Sequence, residues 1–270
     1  MQSVKIIRRI VVGLVLLYAV ILLVAFIFQE KLLFHPATLA KDFKYELASQ
    51  GKEVSINTDD GQTISGLLIK RGGSKHIMLY FHGNGGSLDT WQWVANDLKE
   101  LDCDMLIIDY RGYGKSTGSF SESGFYLDAL ASYDYLIAAG YDPDDIIIYG
   151  RSLGTGIAID LATKRKARGL ILESPYTSIP DVGKVHYPYL LPGLLSRYKF
   201  NSLKKAPVLT LPVLIIHGDS DELIPSKEAE ELYSAIKSTK TFTLIKGGDH
   251  NNLIHFPEHN RAIADFLNRL

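Results

Sequence analysis

Apolar residues fall along this chain in short, nearly continuous runs, separated by stretches in which they recur with a helical spacing. The short runs are rich in Ile, Leu and Val, which is typical of strands buried on both faces of a parallel sheet. Residues 52–57 and 63–70 flank an Asp59-Asp60-Gly61 turn and predict an antiparallel opening pair. The runs that predict parallel strands are residues 77–81, 105–109, 146–149, 169–172, 213–216 and 242–245.

The intervals between these runs predict helices at residues 88–101, 122–139, 155–166, 226–238 and 257–270. Strands that alternate with helices predict an α/β fold, with one mostly parallel, doubly wound sheet in a single domain over residues 52–270. Residues 176–207 interrupt the alternation with aromatic and aliphatic side chains, followed by a basic piece. We interpret this segment either as a short cap or as chain that packs on the sheet.

The N-terminal part of the chain contains a long apolar stretch, residues 10–28, without a charged residue. As a helix with about 1.5 Å rise per residue it would span roughly 28 Å, close to the thickness of a bilayer core. It is longer than the apolar region of a usual signal peptide, and Gln29-Glu-Lys31 follows it in place of a small-residue cleavage site. We expect an uncleaved transmembrane anchor, with residues 29–51 connecting it to the domain.

Basic residues on the two sides of the anchor bear on its orientation. Residues 1–9 are a short basic segment, and basic residues concentrate on the cytoplasmic side of a membrane helix. We therefore expect the N-terminus in the cytoplasm and the domain across the membrane, in the periplasm of a bacterium or the lumen or exterior of a eukaryote. Three lysines on the other side weaken this bias: Lys31, Lys41 and Lys44.

The charges of the chain nearly cancel, with 29 basic and 30 acidic residues, so nucleic acid is not an expected partner. Arg165, Lys166 and Arg168 predict a solvated helix end, or a small patch that rests on anionic lipid headgroups. The single cysteine, Cys103, excludes an intramolecular disulfide and is expected to be buried. The oligomeric state has no signal in the sequence.

One strand-to-helix junction carries a pattern with chemical meaning. The run 146–149 leads into Gly150-Arg-Ser152-Leu-Gly154, and a helical repeat follows. Gly-x-Ser-x-Gly in this context is typical of a tight turn that lifts a serine above the sheet, where glycines leave room for close backbones. The pattern predicts that Ser152 is a nucleophile. The alternative is a glycine-bounded turn with a solvated serine.

A serine hydroxyl becomes a strong nucleophile only when a positioned imidazole takes its proton. Asp219 and Asp221 follow the run 213–216, and His250 follows the run 242–245. Serine, acid, histidine is the chain order found in α/β-hydrolases. Both aspartates are candidates for the acid that orients His250. We interpret the two later histidines as ordinary residues in or near the final helix: His255 and His259.

Five segments in this order resemble the α/β-hydrolase superfamily, and the resemblance runs from about residue 54 to the C-terminus. Together with the N-terminal apolar helix, they make the chain most similar to the membrane-anchored Bem46-like branch. The segments are Tyr80-Phe-His-Gly-Asn-Gly-Gly-Ser87, Asp109-Tyr-Arg-Gly-Tyr-Gly-Lys-Ser-Thr-Gly118, Gly150-Arg-Ser-Leu-Gly154, His217-Gly-Asp-Ser-Asp-Glu-Leu-Ile-Pro225 and Gly248-Asp-His250.

The resemblance implies roles for residues at the site. It places the acid of a catalytic triad with Ser152 and His250 at Asp221, and it lets Asp219 shape the neighbouring turn. An acyl-transfer site also needs donors for an oxyanion. The resemblance assigns these donors to two backbone N–H groups, so that an amide matters more than the side chain it belongs to. They are the N–H groups of Leu153 and Asn84.

Two further assignments follow from the resemblance. The glycine-rich loop 82–86, which holds the second donor, would otherwise be interpreted as a flexible turn or a weak phosphate cradle. The segment 176–207 would be a cap over the active site, with an apolar lining that favours acyl chains. The side chains we expect to contact substrate there are Tyr176, Tyr187, Leu190 and Leu191.

A second glycine-containing motif fails on inspection. Gly114-Lys-Ser-Thr117 looks like the end of a phosphate-binding P-loop, yet the required first glycine falls at Asp109. The resemblance makes Arg111 and Lys115 structural or rim residues. The sequence also lacks a dinucleotide fingerprint and the His/Cys spacing of a metal site, and the expected hydrolysis needs neither cofactor nor metal.

We therefore expect a membrane-anchored serine hydrolase that cleaves carboxylic esters or thioesters through an acyl-enzyme. The anchor and the apolar cap favour lipid-like or acylated substrates. A serine peptidase or amidase of the same fold is one alternative, because the same triad serves both reactions. A non-catalytic, membrane-tethered interaction module is the other.

Overall fold

In the computed structural model, which describes residues 2–270, eight strands form the main sheet in the order β8-β7-β6-β5-β3-β4-β2-β1. β1 and β2 pair antiparallel, β2 is antiparallel to β4, and the remaining neighbours are parallel. The predicted α/β fold with a mostly parallel sheet is confirmed. The strands are β1 (Gly51–Asn57), β2 (Thr63–Ile69), β3 (Ile77–Phe81), β4 (Asp104–Ile108), β5 (Ile146–Arg151), β6 (Gly169–Glu173), β7 (Val213–Gly218) and β8 (Lys240–Ile245).

Helices cover both faces of this sheet, which explains why the strands read as continuous apolar runs. Within β3, Leu79 packs into the cluster that contains α5, α6 and α10, while Met78 packs into the cluster that contains α11. The helices are α1 (Gln2–Ile27), α2 (Gln29–Leu33), α3 (Leu88–Trp91), α4 (Val94–Asp97), α5 (Glu122–Ala138), α6 (Leu153–Ala162), α7 (Ile179–His186), α8 (Pro192–Leu195), α9 (Ser202–Lys205), α10 (Ser226–Ala235) and α11 (Pro257–Leu267).

The predicted helix 88–101 is wrong as a single element, because the chain forms two short helices, α3 and α4, in its place. The break coincides with Gln92, whose buried side-chain amide accepts a hydrogen bond from the Leu47 N–H at 2.8 Å. The predicted helix 155–166 also differs in its bounds. It starts at Leu153, directly after Ser152, and ends at Ala162.

The connecting segment packs on the domain. Phe34 is buried among aromatic side chains, including Phe125 and Tyr198. The two residues His35–Pro36 then form a short parallel ladder with Gly85–Gly86. Between the apolar helix and the domain the chain is therefore held against the glycine-rich loop that follows β3.

The interrupting segment behaves in two different ways. Its second half packs inward, with Tyr198 and Phe200 in the core of the domain. The stretch 185–194 stands outward and exposes large apolar side chains, including Tyr189 at 60% and Leu194 at 76% of their surface. The segment thus contains chain that packs on the domain and chain that stands outward from it, and its role as a cap over the active site stays a prediction. We refer to residues 176–207 as the cap.

The charged and thiol residues singled out in the sequence have structural surroundings. Arg111 is buried and pairs with Asp60 at 2.7 Å and with Asp128 at 2.8 Å. Cys103 is buried, and burial raises the pKa of its thiol to about 12. The basic patch at the end of α6 is partly neutralised by ion pairs, Arg165 with Asp134 and Lys166 with Asp144.

Candidate active site

The turn between β5 and α6 holds Ser152 in a strained conformation, with φ at 51° and ψ at −118°. A Cβ on Gly150 would lie 2.5 Å from the carbonyl oxygen of Gly154, and one on Gly154 would lie 2.1 Å from that of Phe81. The Ser152 N–H is bonded to the Glu173 carbonyl at 2.9 Å. Both glycines of the pattern are therefore required by close backbone approach, as their spacing predicts.

Three side chains from separate loops meet at this turn. His250 Nε2 lies 2.9 Å from Ser152 Oγ, and His250 Nδ1 lies 2.7 Å from Asp221 Oδ2. Asp221 follows β7 and His250 follows β8, so both loops leave the carboxyl edge of the sheet, where α/β folds place their ligand sites. Serine, imidazole and carboxylate thus form one continuous chain of contacts.

Asp221 is held as a carboxylate. Its Oδ1 accepts hydrogen bonds from the N–H groups of Leu223 and Ile224 at 2.9 and 2.8 Å. Burial acts to raise its pKa, but hydrogen bonds with His217 and His250 outweigh burial and hold the pKa of Asp221 well below its ordinary value. The group beside the imidazole therefore carries a negative charge across the physiological pH range.

The other candidate acid points elsewhere. Asp219 Oδ1 accepts hydrogen bonds from the Gly247 N–H at 2.7 Å and from the Ser220 hydroxyl at 2.9 Å. Asp219 thus shapes the turn beside the site, while Asp221 contacts His250. Two carboxylates separated by one residue are distinguished only by the turn that carries them.

The two residues predicted to supply oxyanion donors are Leu153, directly after Ser152, and Asn84, in the loop 82–86. Leu153 is the first residue of α6, so its N–H has no acceptor within the helix. A Cβ built on Gly83 would lie 3.6 Å from the Cβ of Ser152, which brings the loop 82–86 against the serine. Asn84 is the next residue of this loop.

The side chain of Asn84 has contacts that the sequence interpretation missed. Its amide nitrogen donates a hydrogen bond to the Leu33 carbonyl, and its Oδ1 accepts one from Tyr113 Oη at 3.1 Å. This side chain therefore has a structural role of its own, because it ties the loop to the connecting segment. No signal in the local sequence marks this contact, which joins positions 51 residues apart.

A buried ionic cluster beneath Ser152 was also missed. Arg151 pairs with Glu173 at 3.2 Å, and Glu173 lies 3.4 Å from His259 Nε2. Burial acts to raise the pKa of Glu173, but Arg151 and His259 lower it to about 2. His259 has the opposite balance: burial acts to lower its pKa, and the Glu173 carboxylate raises it. The only sequence signals were a charged residue at the end of each of two buried strands.

This cluster touches the site through two contacts. The Arg151 guanidinium donates a hydrogen bond to the His250 carbonyl at 3.2 Å and lies 5.0 Å over the Trp91 ring. The Glu173 carbonyl is the acceptor for the Ser152 N–H. Arg151 thus holds the backbone of His250, and Glu173 holds the backbone of Ser152, although neither residue reaches the Ser152 hydroxyl.

The four predicted substrate contacts do not share one pocket. Tyr176 is only 1% exposed, and its hydroxyl donates a hydrogen bond to the Leu153 carbonyl at 3.2 Å. It therefore supports the turn from below. Tyr187 and Leu190 line a groove between the cap and the apolar helix, and Leu191 lies beside the lining of that groove. Contact of any of the four with substrate stays a prediction.

Metal ligands are not grouped in the part of the chain that the structure describes. Across residues 2–270, no set of three or more His, Cys, Asp or Glu side chains is arranged to hold an ion.

Comparison with known sequences finds one protein family and several relatives. The family described as "Serine aminopeptidase, S33" matches residues 72–199 and 199–255. The chain is 32% identical to the protein Bem46 of Schizosaccharomyces pombe over 244 residues, which cover 84% of this chain and 78% of that protein. It is 32% identical over 246 residues to an uncharacterized protein of Mycobacterium tuberculosis, covering 89% of this chain and 86% of that one.

A further relative and the solved structures extend this picture. The chain is 31% identical to the lysophosphatidylserine lipase ABHD12 of Macaca fascicularis over 226 residues, 73% of this chain but only 56% of the lipase. The Pyrococcus furiosus esterase Pf2001 has a TM-score of 0.71 at 22% identity, covering 87% of this chain and 98% of the esterase. Est1E of Butyrivibrio proteoclasticus, with ferulic acid bound, has a TM-score of 0.67 at 21% identity, covering 80% and 98%. At these identities the solved structures establish the fold.

Proposed function

Because this chain belongs to the α/β-hydrolase family described as serine aminopeptidase S33, we propose that it is a membrane-anchored serine hydrolase of carboxylic esters or thioesters. One observation carries the proposal: Ser152, His250 and Asp221 form a chain of contacts at 2.9 and 2.7 Å on the carboxyl edge of the sheet. Such an arrangement activates a serine hydroxyl that is otherwise a weak nucleophile.

The reaction has two halves. In the first, Ser152 Oγ attacks the carbonyl carbon of the substrate while His250 Nε2 takes the hydroxyl proton. The oxyanion of the tetrahedral intermediate accepts hydrogen bonds from the backbone N–H groups of Leu153 and Asn84. The intermediate collapses, His250 returns the proton to the leaving alcohol or thiol, and an acyl-enzyme remains.

In the second half, water takes the place of the leaving group. His250 removes a proton from the water as it attacks the acyl carbon, and then donates this proton to Ser152 Oγ as the acid departs. Asp221, buried and negatively charged, keeps Nδ1 protonated so that Nε2 faces the serine as a base. Neither half consumes a cofactor.

Ester hydrolysis and peptide hydrolysis are supported by different observations. The lipase name of the relative from Macaca and the apolar groove beside the cap favour an acyl ester of lipid-like character. The description of the family favours hydrolysis of a peptide bond at an N-terminus. We propose ester hydrolysis first. An aminopeptidase must recognise a free amino group, whereas the groove between the cap and the apolar helix has no charged side chain among its described lining residues.

The test of this function is hydrolysis of p-nitrophenyl esters from acetate to palmitate by the full-length, detergent-solubilised protein. Ser152→Ala should lower kcat by about 10⁴-fold or more, as loss of a triad nucleophile does. Ser234→Ala, an exposed serine on α10, is the matched control. Turnover that is equal in all three proteins, with no fluorophosphonate adduct on Ser152, would contradict the proposal and favour a non-catalytic module. Release of amino acids from peptides, without ester turnover, would favour the peptidase.

We also propose that α1 is the membrane anchor, with its N-terminus in the cytoplasm. α1 is long and apolar enough to cross a bilayer, and none of its residues is buried in the structure. Because Cys103 is buried, an introduced surface cysteine can be labelled selectively. A membrane-impermeant maleimide applied to intact cells should label Ser234→Cys and spare Ser3→Cys. The reverse pattern would invert the topology, and extraction of the protein by carbonate would contradict the anchor.

A further inference from the structure

An apolar groove of about 250 Å³ lies where the end of α1 and α2 meet the cap. Its volume is just below the range of about 300–1,000 Å³ that is usual for small-molecule sites, and its described lining contains no charged side chain. The one long polar side chain in its wall, Gln29, is already bonded, to the Phe26 carbonyl and the Arg197 N–H. The side chains that matter most for its shape are Phe26, Leu32, Leu33, Tyr187, Leu190 and Leu195.

The two walls of the groove are joined by specific contacts. The Tyr18 hydroxyl, within α1, donates a hydrogen bond to the Tyr189 carbonyl at 2.7 Å. At the other end, Arg197 pairs with Glu30 at 3.1 Å and lies over the Phe26 ring. Tyr18 precedes the end of α1 by nine residues, or about 14 Å of helical rise. The cap therefore runs alongside the second half of the helix.

This position would put the cap in contact with lipid. With α1 across a bilayer, the outward stretch 185–194 of the cap would lie at the depth of the headgroups and acyl chains. The side chains exposed there are apolar or aromatic, including Tyr187 at 54% and Tyr189 at 60%. The exposed apolar surface of the cap thus continues that of α1.

The inner wall of the groove includes a residue that contacts the loop 82–86. Leu33 lines the groove, and its carbonyl accepts the hydrogen bond from the Asn84 side chain. The ladder between His35–Pro36 and Gly85–Gly86 follows directly. A single contact, between Leu33 and Asn84, therefore joins the groove to the loop that holds a proposed oxyanion donor.

We propose that this groove binds one acyl chain of a bilayer lipid, so that substrate reaches Ser152 laterally from the membrane. The inference rests on the proposed ester hydrolysis for its catalytic meaning, and it defines the substrate as a membrane lipid with a single acyl chain in the site. The size of the groove suits part of one chain. The exposed apolar cap and the helix beside it give that chain a continuous apolar path out of the bilayer.

The test uses full-length Ser152→Ala protein in lipid nanodiscs that contain a lysophospholipid with a photoreactive diazirine in its acyl chain. After illumination, adducts are mapped by mass spectrometry. We expect labelling of residues 187–195 and of Leu32–Leu33, in addition to general labelling of the lipid-facing helix. Leu190→Trp fills the groove and should lower labelling of residues 187–195 about tenfold relative to α1, the effect of excluding about two methylene groups.

Leu194→Trp is the matched control, because it makes the same change on the same cap at a side chain that is 76% exposed and outside the groove lining. Its labelling should equal that of the parent. Leu195→Trp, which enters the groove from α8, is a second filling variant in case Leu190→Trp lowers the melting temperature of the protein. Labelling confined to α1, or unchanged in both filling variants, would overturn the proposal.

Turnover separates this inference from the proposed function. In otherwise unmodified protein, Leu190→Trp should lower the ratio of kcat/KM for p-nitrophenyl laurate over acetate about tenfold, while Leu194→Trp leaves the ratio unchanged. If the groove is labelled as expected but ester turnover does not depend on Ser152, the hydrolase proposal fails and the lipid site stands. If turnover depends on Ser152 and the laurate preference survives both filling variants, the groove fails and the hydrolase stands.

Discussion

The carboxyl edge of the sheet around Ser152 and the junction of the cap with α1 are built on opposite principles. At the edge, polar and charged side chains such as Asp221, His250 and Glu173 are buried and joined by direct contacts. At the junction, apolar side chains such as Tyr189 are exposed, and few polar contacts join the walls.

The contrast has a physical reason. Buried polar groups must be paired, so the edge has one arrangement and is sensitive to the loss of any partner. An exposed apolar surface raises the free energy in water but not in lipid, so the exposed side chains of the junction are suited to contact with a bilayer. The edge therefore has a fixed polar geometry, and the junction presents exposed apolar surface.

The largest effect is expected from the acid at the edge. Asp221→Asn should lower kcat about 10⁴-fold, since an amide favours the wrong imidazole tautomer. Asp219→Asn, two residues away, should leave kcat within about threefold, as a change remote from the imidazole does. Steady-state kinetics on one soluble ester measures both. An equal loss of kcat in the two variants would mean that contact with His250 does not identify the catalytic acid.

The second effect concerns stability. Glu173→Gln breaks a buried ion pair with Arg151 and should lower the free energy of unfolding by about 3 kcal/mol at pH 7. Urea unfolding of the detergent-solubilised chain measures this. Glu230→Gln, an exposed glutamate on α10, is the control and should have little effect.

The pH dependence of this effect has a definite sign. The pKa of Glu173 is lowered to about 2, so its stabilisation is present above the unfolded pKa of about 4.3 and is lost as the pH falls towards 2. The pKa of His259 is raised, so its share is complete below the unfolded pKa and is lost as the pH rises through the folded one. Glu173→Gln should flatten both limbs. A variant with the parent's acid limb would contradict this account.

A third prediction tests the contacts of Asn84, which join the two regions. Asn84→Ala removes the side-chain bonds to Leu33 and Tyr113 while keeping the backbone N–H. We expect kcat about tenfold lower and KM within about twofold, a fraction of the loss caused by removing an oxyanion donor outright. Asn251→Ala, an exposed asparagine, is the control. A rise in KM with unchanged kcat would show that this side chain acts on binding.

The smallest effect is expected at the junction itself. Tyr18→Phe removes one hydrogen bond to Tyr189 and should speed amide hydrogen exchange in residues 187–195 about fivefold in nanodiscs. Tyr135→Phe on α5 removes a tyrosine hydroxyl away from the cap and is the control. Unchanged exchange would mean that apolar packing alone holds the cap to α1.

The sequence predicted the sheet well because each strand carries its own signal. Runs such as 213–216 are apolar throughout, and the structure extends this one only to Gly218. Helix bounds were less accurate, and the predicted helix 88–101 was wrong as one element. Its break coincides with Gln92, whose side chain is bonded to the Leu47 N–H, a partner 45 residues away that no local pattern contains.

By itself, the sequence determined the α/β class, the apolar helix and the tight turn at Ser152, because each depends on residues that are neighbours in the chain. Only the tertiary structure decided which aspartate meets His250, that Glu173 and His259 share a buried cluster, and that Asn84 holds Leu33. It also decided that the cap and α1 enclose a groove. These contacts join distant positions through the packing of whole elements, and burial then imposes pairing on the polar groups brought together.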